Sequence, residues 1–523
     1  MKKVLSILTL AALLNACSDD ALKMTGPETE VQEEVTGLKH AQLAVMAGDQ
    51  NRVKAPGTRA EAEKPVTLEL IAEIENPSDQ VFESKVESGK SRHLSATCVY
   101  YDAKTDMYYA TYHLQGNNYN TDLKTDVAGL IETFKIENGE VVLKNIYKSA
   151  NPSELEFDFN HLYFDDLTRY GGVTQHVDED RLIAVGHLSE TTSNDTKQTK
   201  AIIGKLSLDE SNPGFDYKVV YTGDKIYNED VTNKDGSLAS LGNEDAQDVN
   251  AVVRLYDTYY LATRKGIALL DGADDNLFNP VLDKKNQIYF IKTPGSVKHV
   301  ACENGQHSNV TFLYLNEEFP DDFKYSDAIK ATMVQFNTHP TNGKNGYLCS
   351  GSTNKYLEED VKTQGANFLD YRLATGWYKE FENPVSPIDG KNVLYLLGGS
   401  QYYAALGKGG LYYKNDSHGA NEGRLDFGGR PVNGVFVDEG HGSEKHNGFI
   451  YVANGSKLSI YNRYKLDEVA SWNLPNDTDG SANYVVAREA DEANEDGSHD
   501  RIITVAFGQE GVKVFRFHPK ALW

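Results

Sequence analysis

The sequence predicts an all-β protein, a seven-bladed β-propeller that follows an N-terminal leader and a polar linker. Short apolar strands alternate with glycine-containing turns from Val66 onward, which is typical of strands rather than helices. The 31 tyrosines and 44 glycines favour the same assignment, because aromatic residues between turns suit a pleated surface. One strand–turn–strand pattern also recurs seven times, several copies lying about 50 residues apart, the size of a four-stranded blade.

The first sixteen residues have the organisation of an export signal. A basic start precedes the apolar run Val4–Leu14. This run is shorter than the roughly 20 residues that span a bilayer, and it suits the core of a signal peptide. It ends Leu14-Asn15-Ala16-Cys17, which resembles the bacterial lipoprotein cleavage box. The resemblance implies that Cys17 becomes the acylated first residue, palmitate included, and the alternative is an ordinary secretory peptide.

The residues after the cysteine predict a surface location and a linker. Ser18-Asp19-Asp20 resembles the acidic export signal of Bacteroidetes lipoproteins, which implies the outer membrane and exposure at the cell surface. Residues 17–66 are polar and carry no sustained apolar pattern, so they predict a flexible tether. A short helix over Leu38–Val53 is the alternative within it. The propeller then covers residues 67–523.

Composition and motifs narrow the class of function. A formal net charge of −25 opposes nucleic-acid binding, which depends on cations that neutralise phosphates. Beyond the anchor, three cysteines remain, so at least one thiol is free, and their spacing does not suit zinc. The sequence also lacks the GxSxG, HExxH and phosphate-loop motifs. Binding is therefore favoured over catalysis, although a propeller hydrolase or lyase acting on polysaccharide or a sugar lactone remains an alternative.

The repeat itself consists of an apolar strand with an alanine, a glycine turn and a second apolar strand. It resembles the LVIVD-like propeller repeat of Bacteroidetes surface lipoproteins, which reads Val-Ala-x-Gly-x-x-Gly-Leu-x-Val at its centre. The resemblance implies a ring of small sheets and is good in four copies and loose in three, so six or eight blades remain open. The good copies begin at Tyr260, Tyr403, Tyr451 and Thr504, and the loose ones centre on Ala110, Ala184 and Leu313.

The two ends of the chain predict how the ring closes. The last repeat contains only three strands, Ala482–Ala487, Arg501–Phe507 and Gly511–Phe517. The unmatched segment Thr67–Ile74 lies at the other end of the propeller. We expect it to supply the fourth and outermost strand of the last blade.

Polar residues near the starts of the innermost strands predict a binding site at the channel mouth. Asn and His both donate and accept hydrogen bonds, which suits sugar hydroxyls or peptide amides. A glycan or peptide ligand, captured beside an outer-membrane nutrient importer, is the predicted role. The alternatives are that these side chains bond neighbouring blades and fix the ring, and that the protein is a structural partner in an outer-membrane assembly. The predicted ligand-binding residues are His93, Asn160, Asn250, His299, Asn433 and Asn483.

One loop in the last repeat predicts calcium. The segment 492–500, followed by an apolar strand, resembles the integrin-type propeller loop, in which oxygen ligands alternate around a glycine turn. The ligands that this resemblance implies are Glu492, Asn494, Asp496 and Asp500. Glu492 stands where the loop usually has Asp, and a solvated acidic hairpin is the alternative.

Overall fold

The structure is a computed structural model that describes most of the strand-forming regions of the chain. The described residues are 37–55, 68–81, 92–116, 129–151, 155–165, 181–191, 197–220, 249–255, 258–263, 266–273, 276–280, 290–293, 295–303, 309–315, 331–337, 378–381, 395–397, 401–407, 409–415, 422–438, 448–463, 465–475, 481–494 and 498–519.

The first two blades belong to one nine-stranded sheet, because strand β1 lies between their outer edges. Each blade contributes four antiparallel strands, with the innermost first in the chain. The strands that precede blade 1 are β1 (Lys39–Ala47), β2 (Val53–Lys54) and β3 (Leu68–Ile74), blade 1 comprises β4 (Arg92–Asp102), β5 (Met107–Gly116), β6 (Gly129–Glu137) and β7 (Glu140–Ser149), and blade 2 comprises β8 (Leu155–Asp165), β9 (Arg181–Thr191), β10 (Lys197–Ser207) and β11 (Gly214–Val219).

Blades 3 to 6 are separate four-stranded sheets in simple up-and-down order. Their strands are β12 (Val249–Leu255), β13 (Thr258–Thr263), β14 (Gly266–Asp271) and β15 (Phe290–Lys292), then β16 (Val297–Glu303), β17 (Asn309–Leu315), β18 (Ala331–Asn337) and β19 (Tyr378–Phe381), then β20 (Tyr395–Leu397), β21 (Gln401–Ala405), β22 (Leu411–Asn415) and β23 (Glu422–Leu425), then β24 (Val432–Asp438), β25 (Phe449–Asn454), β26 (Lys457–Asn462) and β27 (Glu468–Asn473).

The last blade closes the ring as the sequence predicts. Its strands β28 (Tyr484–Ala493), β29 (His499–Ala506) and β30 (Val512–Phe517) are followed outward by β3, which pairs with β30 from Leu68↔Phe517 to Ile74↔Val512. The innermost strands contact one another in succession, and β28 contacts β4. The described residues therefore form a closed propeller of seven blades, which confirms the predicted fold class.

Two glycines of the last repeat explain how the ring closes. Gly508 has a φ of +60° and its carbonyl accepts from the N–H of Ala96 in the innermost strand of the next blade, at 2.9 Å. Gly511 has a φ of +74°, and a Cβ there would lie 2.1 Å from the carbonyl oxygen of Ile74 in the closing strand. Only glycine accommodates this left-handed backbone and close approach.

The N-terminal segment corrects the predicted tether. Over residues 39–54 the chain is neither flexible nor helical: it forms β1, a 3-10 turn at Gln50–Arg52, and β2. Ala41 and Leu43 are buried, and the exposed edges of blades 1 and 2 supply backbone partners that a single sequence does not reveal. The rest of the predicted tether, residues 17–36 and 56–66, lies outside the described residues.

The described residues also contain one α-helical turn, Ser78–Val81, between β3 and β4. Among them, no helix has the length and apolar character needed to cross a membrane.

Candidate ligand-binding site at the channel mouth

The predicted polar position is a β-bulge that recurs around the ring. In five innermost strands the pairing register shifts by one residue at the same place. In blade 7 the equivalent residue is Asn483, which directly precedes β28. A bulge redirects its side chain and ends regular pairing, so these positions mark one face of the ring, which we call the front face. The bulged residues are Thr97, Asn160, Asn250, Lys298 and Asn433.

The asparagines at these positions join blades 2, 3, 6 and 7 each to the blade that follows it in the ring. In each case the side-chain Nδ2 donates to a backbone carbonyl of the following blade. The residue that carries this carbonyl directly precedes the equivalent position in that blade. This geometry supports the alternative that the asparagines fix the ring, and their ligand-binding role stays a prediction. The donor–acceptor pairs are Asn160 to Val249 at 2.9 Å, Asn250 to Val297 at 2.6 Å, Asn433 to Ala482 at 3.0 Å and Asn483 to Ala96 at 2.9 Å.

The two predicted histidines do not occupy the bulge. His93 lies closer to the start of β4 than Thr97 and pairs through its backbone with Gln115. Its side chain is outside the described atoms. His299 directly follows the bulged residue Lys298, as His161 follows Asn160 in β8. A single sequence does not show where a strand bulges, so the alignment slipped in these two blades.

Beneath the asparagine rim, four rings form a continuous arc across the channel. Tyr484 contacts Tyr100 at a centroid distance of 5.4 Å, Tyr100 contacts His161 at 5.6 Å, and His161 contacts His299 at 5.5 Å. Blades 2 and 4 are not neighbours, so His161 and His299 meet only because both point towards the centre of the ring. The small Ala251 of blade 3 lies between them in the ring order. We call these four side chains the aromatic floor.

The aromatic floor is uncharged near neutral pH. Its members are only 7–9% exposed. Burial lowers the pKa of His161 to about 4. Burial, followed by the charge of His161, lowers the pKa of His299 well below its usual value. His161 Nδ1 accepts a hydrogen bond from the N–H of Val252 at 3.4 Å, which suits a neutral imidazole.

This arrangement suits a neutral ligand with an apolar face and hydroxyl or amide groups. Flat rings offer stacking surface, and the rim offers amide oxygens and hydroxyls. Asn250 and Asn483 keep 6% and 7% of their surface exposed, which is the part left to a ligand after the blades are joined. Among the described residues of the rim and floor there is no pair of carboxylates. Sequence reasoning missed Tyr100 and Tyr484, because only the bulge register shows that they point inward.

One side of the mouth is raised into a wall. Strands β4 and β8 begin about five residues before their bulges. Strands β12, β16 and β24 begin about one residue before theirs. The first two strands therefore extend roughly 13 Å further beyond the bulges than the other three. Inside this wall, buried Asp158 of blade 2 contacts His113 of blade 1 and, at 3.4 Å, His187 of its own blade. These contacts tie the two raised blades together.

The structure brings together part of the predicted calcium loop. Asn494 Nδ2 donates to Asp500 Oδ1 at 3.1 Å, and His518 Nδ1 lies 2.9 Å from Asp500 Oδ2. Each carboxylate oxygen of Asp500 therefore already contacts a nitrogen of another side chain. Glu492 is exposed on β28, and Asp496 lies outside the described residues. No cluster of three or more metal-ligating side chains occurs in the described part of the chain, and calcium stays a prediction.

Cys17 also lies outside the described residues, so its lipidation remains a sequence-based prediction.

Comparison with known proteins adds no family. No family model matches the chain, and no curated protein matches it. The WD40 β-propeller domain of Doa1 is similar at 10% identity, over 82% of this chain and 97% of that one, with a TM-score of 0.36. Sqt1 of Saccharomyces cerevisiae is similar at 11% identity over 82% and 97%, with a TM-score of 0.38. The fold assignment rests on the sheet order and ring closure described above.

Proposed function

We propose that the protein is a surface-anchored binding lipoprotein, whose propeller holds a neutral glycan or peptide at the front mouth of its channel. The observation that carries this proposal is the aromatic floor beneath an amide rim. An aromatic surface with a few convergent polar groups is the usual make-up of a small-ligand site.

The chemistry of the mouth favours binding over hydrolysis. A hydrolase or lyase needs an acid and a base with pKa values matched to the working pH. His161, with a pKa of about 4, is a weak base near neutrality. The ring contacts of the floor run from blade 7 to blade 4, and we expect a ligand to rest on these rings.

The anchoring half of the proposal rests on the leader and Cys17. An acylated Cys17 would hold the propeller at the outer membrane, where it could pass a captured ligand to an importer. Metabolic labelling with radioactive palmitate tests this directly. Wild type should be labelled and Cys17→Ser should not, and added protease should digest the wild-type protein on intact cells. An unlabelled wild type would refute the anchor.

A glycan and peptide array tests the binding half. The probe is soluble protein that starts at Ser18, and each hit is then assayed for turnover. Binding without product release supports the proposal. Product release would instead favour the enzyme alternative, and a folded protein that binds nothing would favour a protein partner.

A further inference from the structure

The segment 39–54, which we call the rim strap, runs along the outside of three blades. The first part of β1 pairs with β11 of blade 2, from Lys39↔Tyr217 to Gln42↔Gly214. The second part pairs with β7 of blade 1, from Leu43↔Ser149 onward. The chain then turns and pairs as β2 with the closing strand β3 of blade 7. The rim strap therefore crosses the junction at which the first and last blades meet.

Side chains fasten the rim strap to blade 1. Gln50 mimics a strand residue: its Nε2 donates to the carbonyl of Val141 at 2.7 Å, and its Oε1 accepts from the N–H of Leu143 at 3.0 Å. Arg52 is buried and forms an ion pair with the fully buried Glu132 of β6. The attachment is thus both a strand pairing and a buried charge pair.

The closing strand β3 has much less strand pairing on its outer edge, where it meets β2 of the rim strap, than on its inner edge. β3 is bonded along its length to β30, whereas on its outer edge the strand pairing in the described part of the chain covers only Val53 and Lys54. A pull on the chain just before β3 would peel its hydrogen bonds one after another. Because β3 completes blade 7, peeling it would open the ring.

We propose that the rim strap is a mechanical device that keeps tension on the N-terminus away from the ring closure. A pull that arrives before Lys39 meets β1 first, and β1 spreads it over two blades. The closing strand then bears no force until the rim strap has detached. Its biological use rests on the proposed Cys17 anchor, through which a surface protein would be pulled from its N-terminal side.

A single-molecule force experiment on soluble protein tests the device. A clickable non-natural amino acid replaces Leu38 in one protein and Thr67 in another, so that the pull enters before the rim strap or directly before β3. The second handle replaces Asp426, an exposed residue after β23, in both. The two proteins share one fold and differ only in the point where force enters.

From residue 38 we expect the ring to open at about twofold higher force, because the bonds of β1 must fail first. A separate step should precede opening, and it should be shorter than roughly 55 Å, the fully extended length of the rim strap, because the folded strap already covers part of that distance. Gln50→Ala should lower the force from residue 38 and leave the force from residue 67 unchanged. Equal forces from both points, with no early step, would overturn the proposal. Loss of palmitate labelling would refute the anchor without altering these forces.

Discussion

The buried pair between Arg52 and Glu132 gives the sharpest stability prediction. The Arg52 guanidinium also donates to the carbonyl of Glu75 at 2.7 Å, and Tyr112 donates to Glu132 at 3.1 Å. Glu132 has no exposed surface. Arg52→Met removes the cation that pairs with this carboxylate and leaves a buried charge. We expect a loss of about 3–5 kcal/mol in the free energy of unfolding.

A matched double variant separates the effect of the unpaired charge on stability from the effect of lost packing. Arg52→Met combined with Glu132→Met replaces the ion pair by apolar side chains of similar length and should cost far less than the single change. Burial already raises the pKa of Glu132, and removal of Arg52 should raise it further. A carboxyl group with a raised folded-state pKa binds its proton more readily when folded. The deficit of the single variant should therefore grow as pH rises and shrink as pH falls.

Guanidinium unfolding at pH 5 and pH 7.5, followed by tryptophan fluorescence, measures these differences. A single variant within about 1 kcal/mol of wild type at pH 7.5 would show that the pair does not hold the rim strap. A double variant as unstable as the single one would show that packing, rather than an unpaired charge, sets the cost.

Three further predictions concern the turns, the floor and the calcium loop. Gly511→Ala should lower the free energy of unfolding by about 3 kcal/mol or more, because the added Cβ would lie 2.1 Å from a backbone oxygen. Gly428→Ala should lower it by about 1 kcal/mol, because Gly428 has a φ of +65° and nothing within 4 Å of the added Cβ. Equal losses in the two variants would refute the packing argument. Burial lowers the folded-state pKa values of His161 and His299, so the unfolded chain binds more protons, and stability should fall as pH drops from about 6.5 towards 4. Replacing both by Leu should flatten that part of the pH curve, and an unchanged curve would contradict a neutral floor. Calcium should raise the thermal midpoint of wild type and not of Asp496→Ala, and no rise in wild type would eliminate the calcium site.

The fold was predictable because each copy of the sequence repeat corresponds to one blade. The repeat combines an apolar strand with a Gly-x-x-Gly turn, and in the copies that begin at Tyr403 and Thr504 both glycines of that turn have a positive φ. The missing fourth strand of the last repeat then predicted closure by Thr67–Ile74, and β3 at Leu68–Ile74 confirms it.

The site was less predictable, for physical reasons. Asn160, Asn250, Asn433 and Asn483 were found as a polar position, but their acceptors are carbonyls of the next blade, which are distant in sequence. The bulge also shifts by one residue which side chains of the innermost strand face the channel. For this reason the sequence did not show that Tyr484 faces inward. The pairing of β1 was invisible because its partners are the edges of two blades.

The most direct test of the binding site compares two tyrosines that are almost equally buried. Tyr484 lies in the aromatic floor, and Tyr217 lies in the outer strand β11 of blade 2, at 7% and 6% exposure. The affinity of the best array ligand is measured by calorimetry for wild type, Tyr484→Leu and Tyr217→Leu. We predict that Tyr484→Leu weakens binding at least about tenfold, or 1.4 kcal/mol, and that Tyr217→Leu leaves it unchanged. Unchanged affinity in a folded Tyr484→Leu protein would contradict a ligand site on the aromatic floor.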